Sequence, residues 1–269
     1  MPELPEVERA ARRIRRAIVG RTIARVRLLH PALARRITSR ALSSLRGHAI
    51  SAVEQRAKHQ LLVLDDGRSL HVHFRMAGDW TLDHVGDDLP RSARAAIDFT
   101  DGTRLLLVDP RALSSMVVLA KGTTPFAALG PDPSSAAFED SLRDALSRRS
   151  AAIKPSLLDQ RVAAGVGNIY AAEALWEAGI DPRAPAKSLT RAQLRDLASA
   201  IRLVLDRARA TGRRYRAGAA SFRVYDREGS PCPRCGTQIQ RIVQAGRSTC
   251  FCPHCQRTAR PNARAAAKR

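Results

Sequence analysis

No apolar run in the 269-residue chain approaches the roughly 18 residues that a membrane-spanning helix needs. Glu3, Glu6 and Glu8 give the N-terminus the wrong charge for a secretory signal peptide, so a soluble, intracellular protein is expected. Acidic residues are scarce, 25 against 46 Lys plus Arg, which leaves a formal charge of +21 and excludes an ordinary neutral enzyme. Lysine is scarcer still, with five residues beside 41 arginines. Drift toward arginine accounts for part of the surplus, yet it does not explain an uneven distribution. Residues 1–147 hold 22 basic and 17 acidic side chains, whereas residues 148–269 hold 24 and 8. A surplus concentrated in one half suggests a polyanionic partner, because each neutralised phosphate releases condensed counterions. No internal repeat is present, and 44% apolar residues suffice for a real core and about two domains.

What is there reads as a β-rich first part and a helical second part. Leu4, Val7, Ala11, Ile14 and Ile18 recur at intervals of three and four, which predicts an amphipathic helix over residues 3–19 closed by Gly20. Short strands are expected at 22–29, 49–54, 60–64, 69–73, 95–99, 104–108 and 116–119, some separated by the turn signals Asp66-Gly67 and Asp101-Gly102. Gly122, Pro125, Gly130, Pro131 and Pro133 mark a linker. Helices are expected near 138–148, 154–163, 168–178 and 190–210, followed by a cysteine-bearing segment and a basic, alanine-rich tail from about Thr258.

Cys232, Cys235, Cys252 and Cys255 form two CxxC pairs separated by sixteen residues, the spacing of a four-cysteine zinc site. Four thiolates leave no open position, so one structural ion is expected. Cys250 is the odd thiol and reads as a packing residue of the hairpin. Gly165-Val166-Gly167-Asn168 lies between two helical patterns, with Asn168 placed to cap the second, and such glycines let backbone N–H groups approach a phosphate. Many helix connections contain glycine without touching nucleic acid, so this signal alone is weak. The start Met1-Pro2-Glu3-Leu4-Pro5-Glu6 is unusual. Removal of Met1 leaves Pro2 with a free secondary amine that can attack an aldehydic carbon, helped by an α-amino pKa near 8, and Glu3 beside it can shuttle the proton. The competing reading is that Pro2 and Pro5 merely start a helix.

Together the residues resemble the bacterial formamidopyrimidine-DNA glycosylase family. The resemblance rests on MPELPEVE, Arg56-Ala57-Lys58, the run His73 to Gly78, the Asp109-Pro110-Arg111 turn, Leu129-Gly130-Pro131, Leu157 to Gln160 with Gly165 to Tyr170, and the segment Gly246 to Thr249. It runs nearly end to end, and the opening favours this branch over the related endonuclease VIII branch. It implies an α+β multidomain fold: a β-sandwich with a capping helix over residues 1–125, a linker at 126–137, a helix-two-turn-helix domain at 138–225, a zinc-finger β-hairpin at 226–260 and a basic tail at 261–269. Damaged double-stranded DNA would lie in the cleft between the halves of a monomer. The resemblance further implies a cytoplasmic, nucleoid-associated base-excision repair enzyme with glycosylase and abasic-site lyase activities, cutting by β,δ-elimination.

By the same resemblance Pro2 is the nucleophile, Glu3 the general acid, Glu6 an ordering residue and Lys58 a phosphate ligand, the last supported by the scarcity of lysine. Met76, Arg111 and Leu113 would fill the hole left by a flipped nucleotide, and Lys154, Gly165, Gly167, Asn168 and Arg247 would bind phosphates. A methionine in such a strand is otherwise more often core. Two features depart from the family's pattern. Leu113 stands where a phenylalanine is usual, and only Thr211 to Ser221 is available for the loop that closes over the base. The resemblance makes oxidised or ring-opened purines the expected substrates, and the short loop disfavours 8-oxoguanine among them. A preference for oxidised pyrimidines or hydantoins, and a catalytically idle DNA-binding paralogue, are the alternatives.

Overall fold

A computed structural model describes residues 2–34, 37–211 and 222–257. The segment 212–221, expected to close over the base, and the basic tail from Thr258 lie outside the described residues. The chain divides into two compact units, Met1–Ala128 and Leu129–Arg269.

The first unit opens with α1 (Leu4–Ile18), which buries Leu4, Val7, Ala10, Ala11, Ile14 and Ile18 along one stripe. Arg15 and Arg16 occupy its last turn, where the helix dipole favours cations. Gly20 then adopts φ +85°, a backbone conformation that suits a residue without Cβ. Beyond it come β1 (Ile23–Leu28), α2 (Pro31–Ala34), α3 (Ser39–Ser43), β2 (Ile50–Arg56), β3 (His59–Leu64), β4 (Ser69–His73), β5 (Asp79–His84), β6 (Ala93–Phe99), β7 (Thr103–Val108) and β8 (Ser115–Leu119). They form two four-stranded antiparallel sheets, ordered β1-β6-β7-β5 and β2-β3-β4-β8. One core joins α1 to both sheets through Ile14, Val53, Leu62, Val72, Trp80, Ile97 and Leu105. Each such side chain, fully withdrawn from water, contributes about 1.5–3 kcal/mol.

Three elements of this unit escape the hydrophobic pattern. β5 buries Trp80 alone among its six residues, because it is an edge strand, and α2 and α3 are shorter than the window in which helical periodicity can register.

The second unit contains α4 (Phe138–Ser147), α5 (Ile153–Leu158), α6 (Asn168–Glu177), a 3₁₀ turn (Ala186–Ser188), α7 (Arg191–Thr211) and a hairpin of β9 (Gln240–Gln244) with β10 (Arg247–Phe251). Eight consecutive residues of α6, Ile169 to Trp176, are buried, so this alanine-rich helix is surrounded on all sides. α5 stops five residues short of its expected end at 163. There the Asp159 carboxylate accepts the Arg161 N–H at 3.0 Å and pairs with Arg149 and Arg161, an Asx turn that competes with helix continuation.

Candidate active site and nucleic-acid interface

α1 positions the first residues of the chain. Glu3 is its N-cap and is fully buried, Glu6 is its third residue, and the two form a capping box in which the Glu3 N–H donates to Glu6 Oε2 at 2.9 Å. Pro5 falls in the first turn, where a missing N–H costs nothing. Pro2, half-buried, is therefore held at the approach to a rigid helix start, immediately before the buried Glu3 carboxyl.

Lys58 follows Ala57 in the two-residue turn between β2 and β3, and it is buried rather than a solvated strand end. Its neighbour His59 pairs across the ladder with His73, the last residue of β4, from which the chain turns through Arg75 and Met76. His59, His71 and His73 pack together, with His59 and His71 stacked at 5.1 Å and His59 edge-on to His73 at 4.9 Å. Burial, each other's proximity and the charges of Arg75 and Lys58 push His59 down to about 4 and His73 down to about 3. Burial and then Arg75 lower His71. These imidazoles are neutral at neutral pH, and His73 Nδ1 accepts the Arg75 N–H at 3.0 Å.

Met76 stands 40% exposed on this turn, which removes it from the core. The turn closes through the Gly78 N–H to Phe74 O at 3.1 Å, and a side chain at Gly78 would collide with Ser114 Oγ at 2.5 Å. A second turn, carrying exposed Arg111 and Leu113, is tied to the first. Buried Asp109 accepts from the N–H groups of Arg111, Leu113 and Ser114 at 3.0, 2.8 and 2.7 Å, and from Ser114 Oγ at 2.8 Å. Ser114 Oγ also lies 3.2 Å from Phe74 O. The three side chains expected to fill an emptied base stack thus stand on two turns that meet at Ser114, the second of them bound to the Asp109 carboxylate.

Backbone strain marks the same places. Among the described residues, the non-glycines with positive φ are Ala57, Arg75, Ala112, Asp226 and Ala245. Four of them adjoin Lys58, Met76, Arg111 with Leu113, and the hairpin tip carrying Arg247. Each costs of order 1–3 kcal/mol, a cost that commonly persists where function fixes the geometry.

In the second unit the cap of α6 needs correction, and Lys154 has partners within the protein. Asn168 does not cap α6: Gly167 occupies the cap and Asn168 is the first helical residue. Its side chain is drawn away, Oδ1 accepting from Lys154 Nζ at 2.6 Å and Nδ2 donating to Ser248 O at 3.1 Å. Lys154, expected on a phosphate, is 1% exposed and donates to Asn168 Oδ1, Ser248 O at 2.9 Å and Thr249 Oγ1 at 2.8 Å. An ammonium with three protons has them all placed, so Lys154 joins α5, α6 and β10 rather than reaching outward. The Gly165 N–H donates to Gln160 Oε1 at 3.0 Å, so Gly165, at φ +87°, shapes the turn. Arg247 is exposed beside the two-residue turn Ala245-Gly246, whose residues both have positive φ as a tight hairpin requires.

The four cysteines converge, with every Sγ within 4.8 Å of the others. Cys235 and Cys252 are 3.5 Å apart and Cys232 and Cys255 4.0 Å, bracketing the ~3.8 Å edge of a zinc tetrathiolate tetrahedron with bonds of ~2.3 Å. The donor set therefore fits one structural zinc. Cys250 stands apart from it, buried against Ala172, Trp176, Val224 and Ile239.

Some organising residues were not singled out from sequence. Asp109 and Ser114 sit in or beside a recognised turn, but their roles depend on partners in space. Glu173 is another: buried in α6, it accepts from the N–H groups of Arg223, Val224 and Tyr225 at 2.8, 2.9 and 2.9 Å, while burial raises its pKa. A lone acid within an apolar helix was the available signal.

A β-sandwich unit and a helical unit ending in a four-thiolate hairpin define a class of zinc-finger, helix-two-turn-helix proteins. Residues 1–116 match the formamidopyrimidine-DNA glycosylase N-terminal domain, residues 129–216 the formamidopyrimidine-DNA glycosylase H2TH domain, and residues 229–258 a zinc finger found in FPG and IleRS. The chain belongs to the formamidopyrimidine-DNA glycosylase family. It is 43% identical over 272 residues to the formamidopyrimidine-DNA glycosylase of Chloroflexus aggregans, covering 95% of this chain and 98% of that one. It is 39% identical to that of Paracoccus denitrificans, with 95% and 100% covered. Among solved structures it resembles the Thermus thermophilus MutM (Fpg) protein, at 37% identity and a TM-score of 0.84 with 95% and 98% covered. It also resembles the Lactococcus lactis glycosylase bound to DNA containing an abasic site, at 30% identity and a TM-score of 0.86 with 95% and 100% covered.

Proposed function

We infer that this chain is a bifunctional base-excision repair enzyme that removes oxidised and ring-opened purines from duplex DNA and then cuts the strand at the resulting abasic site. The observation that carries the reading is the helix start: a buried Glu3 locked by Glu6 immediately after Pro2. The solved relatives add support, since they hold DNA containing an abasic site, an 8-oxoguanine analogue or a formamidopyrimidine lesion.

Pro2, once Met1 is removed, attacks C1′ of the flipped nucleoside while Glu3 supplies a proton to the opening sugar. The base leaves and an iminium links Pro2 to the sugar. Loss of a C2′ proton expels the 3′ phosphate, a second elimination expels the 5′ phosphate, and hydrolysis returns the amine. Glu6 keeps the helix start rigid, so the nucleophile is positioned before substrate arrives. Lys58, on its strained turn, holds a phosphate beside the extruded nucleotide. Met76, Arg111 and Leu113 occupy the vacated stack: Met76 as a flexible apolar wedge, Arg111 as a donor to the orphaned base, and Leu113 as a smaller filler than an aromatic. Arg247, Asn168 and the start of α6 at Gly167 face phosphates of the second unit's DNA segment, with Lys154 holding Asn168 and the hairpin in place. The enzyme works in the cytoplasm on chromosomal DNA.

Single-turnover excision on duplexes differing only in the lesion tests the reading. Cleavage on both sides of a ring-opened purine opposite cytosine is expected, with 8-oxoguanine cut more slowly because the segment from Thr211 to Ser221 is short. A preparation that cuts oxidised pyrimidines well and purines hardly at all would support the endonuclease VIII-like alternative instead.

A further inference from the structure

α6 and the zinc knuckle meet around Trp176. Trp176, in the last turn of α6, is 5% exposed and packs against Cys232, Cys250 and Cys252. Its indole Nε1–H points at Cys232 Sγ, 3.4 Å away, and Cys232 is 2% exposed. On the other side the Arg234 guanidinium lies 4.1 Å from the indole ring centroid, while its Nη1 and Nη2 donate to Trp176 O at 3.2 Å and Glu177 O at 3.4 Å. Arg234 belongs to the first CxxC knuckle, between Cys232 and Cys235. The knuckle thus clasps the end of α6, with its cation at the carbonyl terminus the helix dipole favours and its sulfur receiving the helix's indole proton.

We propose that Trp176 is a positioning residue of the zinc centre, donating an N–H···S hydrogen bond to the Cys232 thiolate that slows loss of the metal and holds the knuckle in register with α6. A thiolate bound to zinc retains negative charge, and burial leaves water poor access to it. An indole N–H that found no acceptor here would itself be a buried unsatisfied donor, so the bond satisfies both partners at once. Drawing charge from the sulfur makes it less open to protonation and oxidation. Outer-shell donors of this kind typically alter metal affinity by about 10- to 100-fold. The consequence reaches α6, whose first residue is Asn168: the helix that carries a proposed phosphate contact at one end reads the state of the zinc centre at the other. The hydrogen bond itself depends on the four-thiolate centre alone and not on any DNA contact.

Three measurements on the full-length metal-loaded protein test this without DNA. In protein loaded with ¹¹³Cd, a scalar coupling between the Trp176 indole proton and the metal is expected, transmitted through the Cys232 sulfur. In Trp176→Phe, which keeps an aromatic ring and deletes the N–H, zinc should pass to a chelator about tenfold faster. The cobalt-substituted variant should show its thiolate-to-metal charge-transfer band at lower energy. Absence of the coupling in well-folded cadmium protein overturns the proposal, as does a folded Trp176→Phe protein whose release rate and band match the wild type. Should that variant fail to fold, the coupling in the unsubstituted chain decides.

Discussion

Asp109 shows how much of the site rests on a residue that is not assigned any contact with DNA. Its carboxylate collects three backbone N–H groups and the Ser114 hydroxyl, and through Ser114 it reaches the turn that carries Met76. Asp109→Ala leaves these donors in a buried place without their acceptor, at about 1–3 kcal/mol for each that finds no replacement. A net loss of about 3 kcal/mol is expected in denaturant titrations. The functional effect should be selective. Excision from duplex should fall much further than β-elimination at a pre-formed abasic site if, as proposed, Arg111 and Leu113 assist extrusion, since an abasic nucleotide has little stacking to lose. Met76→Ala should show the same split with little loss of stability, since that side chain is already 40% exposed. Equal losses on the two substrates would remove both turns from the extrusion step.

At the scale of elements, β3 and β4 bring His59, His71 and His73 onto one patch beside Lys58 and Arg75. Below the ordinary imidazole pKa near 6.5, the unfolded chain takes up protons that the folded chain refuses until about pH 4 for His59 and about 3 for His73. Unfolding free energy therefore falls as pH drops from 6.5 toward 4, and is fully restored above 6.5. The part owed to His59 is about 1–2 kcal/mol once solvent screening of a partly exposed group is allowed for. Urea titrations at pH 7, 6, 5 and 4 should show this slope, and His59→Gln should flatten it; an unchanged slope in the variant would place the acid sensitivity elsewhere. Protonated His73 also ceases to accept the Arg75 N–H, so the Met76 turn should loosen only below that range, near pH 3. Sequence made most of these elements legible because α1 and the inner strands repeat their apolar residues with the period of the structure. β5, with one buried tryptophan, repeats nothing. The setting of Asn168 and Lys154 is less legible for a different reason: the cap is read from chain neighbours and the lysine's role from the resemblance, whereas their hydrogen bonds run to Ser248 and Thr249, some eighty to ninety-five residues away. The cysteine quartet escaped that difficulty because its chemistry is written in spacing alone.

For the whole molecule, the charge asymmetry in the sequence agrees with a DNA partner, and the proposed phosphate contacts of the hairpin and of the start of α6 lie in the unit that also carries the four cysteines. Removal of the zinc should abolish binding to a duplex containing a reduced abasic-site analogue while leaving the β-sheet signal of the first unit in circular dichroism; undiminished binding by a zinc-free preparation would contradict a structural role for the metal. The central claim, however, is that the chemistry begins at Pro2. Borohydride added during turnover of an abasic-site duplex should reduce the iminium to a stable protein–DNA adduct, and peptide mass spectrometry should place it on the Pro2 nitrogen, with no trapping by protein that retains Met1. An adduct on Lys58, or efficient trapping by the Met1-bearing form, would contradict the account.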